Sequence, residues 1–85
     1  MQYILAVFKS RNETLYLANL LMQKGYSVNI INTPREIGPS CGISVQFAVS
    51  LLEQVRLQMT TKPFRSFYGF YKVERKGART SVVKL

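Results

Sequence analysis

Two Ser-x-x-Glu tetrads, Ser10–Glu13 and Ser50–Glu53, each follow an apolar run and open a stretch of helical periodicity. In such a tetrad the serine hydroxyl accepts from the backbone N–H three residues on, and the glutamate reaches back to the serine. Helices are therefore predicted over residues 11–24 and from Ser50 to about Thr61. In the first, Thr14, Leu17, Ala18, Leu21 and Met22 recur at i, i+3, i+4, i+7 and i+8 as a core-facing stripe, while Asn12, Asn19 and Gln23 face water. In the second, Leu51, Leu52, Val55 and Met59 share a face, joined by Ala48 if the helix begins earlier, and Pro63 stops it.

The segments around these helices alternate at the strand period. Residues 2–9 set Ile4, Ala6 and Phe8 against Tyr3, Leu5 and Val7, apolar on both faces as in a central strand. Residues 27–32 and 42–47 alternate Val28 and Ile30, then Ile43 and Val45, with polar residues. Residues 66–74 form a last strand rich in aromatics. The order strand, helix, strand, strand, helix, strand closes as an α+β, ferredoxin-like split βαβ fold, with right-handed crossovers placing both helices on one face of an antiparallel sheet ordered 4-1-3-2. Residues 1–74 are expected to form this single domain, which 85 residues suffice to build. Residues 75–85 are expected to be a basic tail in which Ser81-Val82-Val83 adds a short edge strand.

The chemical inventory is narrow. There is no histidine and no aspartate, one cysteine, and four glutamates whose placement suggests no acid/base pair. A Ser-His-Asp triad, a zinc cluster and an internal disulfide are excluded, and neither metal nor cofactor is expected. The net charge is +8, with seven of the twelve Lys and Arg at or beyond Lys62 against one acid there, Glu74. That excess favours an acidic partner, protein or nucleic acid, or serves solubility alone. The first apolar run follows no basic leader and is too short to cross a bilayer, so a cytoplasmic location and no membrane partner are expected.

The remaining chemistry converges on Thr33–Gly42, which holds two of three prolines, two of five glycines and Cys41. The predicted topology puts this loop at the same end as the start of helix 1 and the connection after helix 2. Lys9, Arg11, Lys62 and Arg65 belong to that end, with Arg35 inside the loop. Cations and a helix N-terminus stabilise a thiolate, the reactive form of cysteine. A lone cysteine is more often a small apolar filler, but a polar loop punctuated by Pro39, Gly38 and Gly42 suits a filler poorly. Cys41 is thus the candidate reactive residue, with Arg35, Lys9, Arg11, Ser40 and Gly42 as its candidate binding groups.

Tyr3-Ile4-Leu5-Ala6 with Phe8-Lys9-Ser10, then Thr33-Pro34-Arg35-Glu36-Ile37 with Ser40-Cys41-Gly42, and Tyr71-Lys72-Val73-Glu74 resemble the Se/S carrier protein-like family over roughly residues 2–74. The resemblance implies a carrier, rather than a stand-alone enzyme, that holds sulfur or selenium on Cys41 as a persulfide or perselenide. It implies a donor enzyme, such as a cysteine desulfurase or selenocysteine lyase, and an acceptor protein. The chain departs from that pattern in being more basic and in extending past Glu74, and it lacks the Cys-Pro-x-Pro motif of other small sulfur carriers.

Two other readings compete. Arg65-Ser66-Phe67-Tyr68-Gly69-Phe70-Tyr71 mixes cations and aromatics as a nucleic-acid-binding strand does. Its residues differ from the RNA-recognition pattern at Ser66 and Tyr68, and it lies on the last strand instead of the third. A basic binding module for nucleic acid or protein is the alternative to a carrier. Reversible oxidation of Cys41 is the third reading, and it needs an external thiol because no second cysteine is present.

Overall fold

A computed structural model describes Met1–Leu85. Five strands form one antiparallel sheet: β1 (Gln2–Phe8), β2 (Asn29–Asn32), β3 (Ile43–Phe47), β4 (Phe67–Lys76) and β5 (Arg79–Lys84), in the order β2-β3-β1-β4-β5. From the other edge this is the expected 4-1-3-2 arrangement with β5 added outside β4. Helices α1 (Arg11–Gln23) and α2 (Leu52–Gln58) both lie on one side.

The apolar patterns explain the layering. Ile4, Ala6 and Phe8 of β1 meet Leu17, Ala18 and Leu21 of α1 and Val55 of α2 in the main core. Tyr3, Leu5 and Val7 face the other way and join Tyr71 and Val73 in a second cluster. No helix covers that second face. Ile37, in a 3-10 turn over Arg35–Ile37, folds down onto part of it, so the Thr33–Gly42 loop laps over the sheet and does not merely cap one end. Fully burying an aliphatic side chain contributes roughly 1.5–3 kcal/mol, which makes the central strand the anchor of both layers.

Several expectations need correction. Met22 is 46% exposed and lies outside the core stripe of α1. The second Ser-x-x-Glu tetrad does not cap a helix: Ala48 is extended, helical backbone begins in a 3-10 turn over Val49–Leu51, and α2 is preceded by Leu51 with no side-chain cap. Ser50 is already inside that turn, where its hydroxyl is not at a cap position, and Ala48 is exposed. After α2 the last turn tightens to 3-10 over Met59–Thr61, and Lys62 is extended as a residue before proline must be. β2 starts two residues later than the periodicity implied, and β4 runs on to Lys76. Residues 79–84 form a full strand paired with β4 from Tyr71–Lys84 to Lys76–Arg79.

Candidate functional site

Four segments meet at one end of the sheet: the end of β1, the first turn of α1, the Thr33–Gly42 loop and the approach to β4. The loop is closed at its neck by Thr33 N–H donating to the Gly42 carbonyl at 2.9 Å, and by the Thr33 and Ser44 hydroxyls at 2.6 Å. Gly42 has φ +94, a left-handed conformation that L side chains resist, and this turns the chain from Cys41 into β3. The Cys41 N–H donates to the Phe8 carbonyl at 3.2 Å and fixes the residue beside the β1–α1 junction.

The sulfur is partly buried. Its Sγ lies 3.3 Å from the Thr14 hydroxyl and 3.3 Å from the Ile43 carbonyl, to which the thiol donates. Thr14 is fully buried in the first turn of α1, and its hydroxyl also donates to the Ser10 carbonyl at 3.0 Å. The sulfur therefore sits against the positive end of the helix through a hydroxyl. Sequence reasoning assigned Thr14 to the core stripe and missed this contact. A polar residue at an otherwise apolar stripe position was the one available signal.

None of the other candidate residues hydrogen-bonds to this sulfur, whose partners are Thr14 and Ile43. Ser40 Oγ accepts the Gly42 N–H at 3.0 Å, so both groups are engaged within the loop. Arg35 and Arg11 are exposed, and neither forms an ion pair. The Lys9 amine lies 5.6 Å from the centre of the Tyr68 ring. The Lys62 amine sits 4.0 Å above the Tyr16 ring and 5.5 Å from that of Phe64. The thiol's direct partners are thus a hydroxyl and a carbonyl, not a cation.

A second polar cluster holds the end together. The Ser10 hydroxyl accepts the Glu13 N–H at 3.3 Å, the first half of the expected capping box. The return contact is relayed: Ser10 N–H donates to Ser66 Oγ at 3.0 Å, and that hydroxyl donates to Glu13 Oε1 at 2.6 Å. Glu13 also accepts the N–H groups of Arg65 and Ser66, at 3.1 and 2.9 Å. The Ser66 hydroxyl, more than any other contact, holds this carboxyl below its ordinary range, against the opposing effect of burial. No group of three or more His, Cys, Asp or Glu side chains is arranged to hold a metal ion. No helix is long and apolar enough to cross a membrane.

A family model described as "Putative Se/S carrier protein-like" matches residues 3–66. The match includes Cys41, Thr14 and the whole loop, and it ends before Tyr71–Glu74, which the sequence resemblance had included. No curated protein and no solved structure matches the chain.

Proposed function

This chain belongs to the Se/S carrier protein-like family, and from that premise we propose that Cys41 carries the sulfur or selenium atom. The family name supports a sulfur or selenium carrier in general. The observation that carries the assignment to Cys41 is its position: the chain's one thiol lies within the matched span, partly exposed at the junction of β1, α1 and the loop.

In the proposed step the Cys41 thiolate attacks the outer sulfur of a donor's persulfide. A new S–S bond forms at Cys41, the donor's S–S bond breaks, and the donor's thiolate leaves with the electron pair. Oxidation state is conserved across the pair, so no external oxidant or reductant is required. The selenium version replaces the transferred atom alone. Rotation of the Thr14 hydroxyl away from the Ser10 carbonyl would let it donate to the sulfur when the sulfur is anionic. A donor enzyme and an acceptor protein are the partners this chemistry needs, since the chain supplies neither a sulfur source nor an acid/base pair.

Intact-mass measurement after incubation with a sulfane-sulfur donor tests the reading. The wild type should gain one sulfur atom, removable by a reducing thiol, and Cys41→Ser should gain none. An unchanged wild-type mass across several donors overturns it.

A further inference from the structure

We infer that the helix-free side of the sheet, at β4 and β5, binds single-stranded nucleic acid, with Tyr68 as a base-stacking platform and Lys9 and Lys84 as phosphate contacts. Strand β4 carries the argument. Val7 pairs with Gly69 and Phe8 with Phe67, leaving Tyr68 as the extra residue of a bulge. In a regular strand Tyr68 and Tyr71 would lie on opposite faces. The bulge brings both to the helix-free face, with ring planes 15° apart and centroids 6.2 Å apart, and sends Phe67 and Phe70 to the helical core. Tyr71 is buried and Tyr68 only partly so, which leaves Tyr68 as the ring accessible to a base.

The charge beside the Tyr68 ring is positive. The Lys84 amine lies 4.9 Å from the Tyr68 ring and 5.9 Å from that of Tyr71, and the Lys9 amine approaches Tyr68 at 5.6 Å. Neither lysine has a carboxylate partner. Arg75 shares the face, alternating with Glu74. No strand puts a carboxylate there: Glu13 and Glu53 are on the helices and Glu74 points to the helical side, while Glu36 is on the 3-10 turn that laps over another part of this face. An aromatic ring flanked by flexible cations matches a ligand that alternates flat bases with phosphates. Tyr71 and Val73 between Tyr68 and Arg75 are buried, so the accessible contact is confined to Tyr68 and the two lysines beside it.

Fluorescence anisotropy with a labelled oligouridylate of about 12 nucleotides, between 25 and 200 mM salt, tests the inference. The wild type should bind at low salt with a steep salt dependence. Lys9→Gln with Lys84→Gln should weaken binding at least tenfold and reduce the magnitude of the log–log salt slope by about 1.4, at about 0.7 per phosphate contact. Tyr68→Leu should weaken binding about tenfold with the slope unchanged. Lys24→Gln with Arg56→Gln removes the same charge away from this face, with Arg56 lying over Phe70 on the helical side, and should have little effect. Circular dichroism confirms that each variant is folded. Absence of binding at 25 mM salt, an equal loss in the Lys24/Arg56 pair, an unchanged affinity in Tyr68→Leu, or equally potent displacement by polyglutamate each overturns the inference. Cys41→Ser should bind like the wild type, so this test and the sulfur-loading test fail independently.

Discussion

Glu13 is an acid whose charge is used entirely inside the molecule. Its carboxylate receives three hydrogen bonds from the segment entering β4, and its own N–H completes the Ser10 cap. This ties α1 to β4 across the site. Because the folded-state carboxyl titrates below its unfolded value of about 4.3, its contribution is present above that pH and lost as pH falls through the lower folded value. Glu13→Gln should therefore melt below the wild type at pH 6, with the gap shrinking as the pH falls below the unfolded carboxylate value. A gap independent of pH would refute the role. Glu74 acts in the same direction, held down first by the Gln2 amide at 2.6 Å and then by Lys76. The Tyr71 hydroxyl is pushed up, chiefly by burial.

Among the elements, β4 is the one whose local irregularity has the widest effect. Next to its bulge stands Gly69, at φ +152, where an added Cβ would lie 2.8 Å from Lys84 Cε. Gly69→Ala should destabilise the fold by about 1–3 kcal/mol, measurable by urea unfolding. Adding Lys84→Ala should recover the steric part and leave the backbone strain. Full recovery by the double variant would show that strain plays no part. The helices contrast with this. α1 is well specified by its cap and stripe, whereas α2 is a seven-residue helix extended by 3-10 turns at both ends.

At the scale of the whole molecule, the β4–β5 hairpin completes the helix-free face. Val82 packs against the second cluster, and β5 occupies the edge of β4 along six paired positions. A chain ending at Glu74 exposes that edge together with Tyr71 and Val73. It should melt at a lower temperature and self-associate through unpaired strand groups, as read by thermal scanning and light scattering. An unchanged melting point and a monodisperse monomer would show the hairpin to be dispensable.

Order and type of element follow from local information: period-two apolar runs in the strands, the Ser10 cap, and the stripe of Thr14, Leu17, Ala18 and Leu21. These signals lie within a few residues of one another, so the topology and the end of the sheet holding Cys41 are legible in the chain. Contacts between distant residues are not. Thr14 reaches Cys41 across 27 positions, Glu13 reaches Ser66 across 53, and one extra residue in β4 decides which face Tyr68 occupies. Local pattern sets which side of an element is apolar. Only packing and strand register decide which polar groups meet, because each of those contacts depends on where another segment comes to rest.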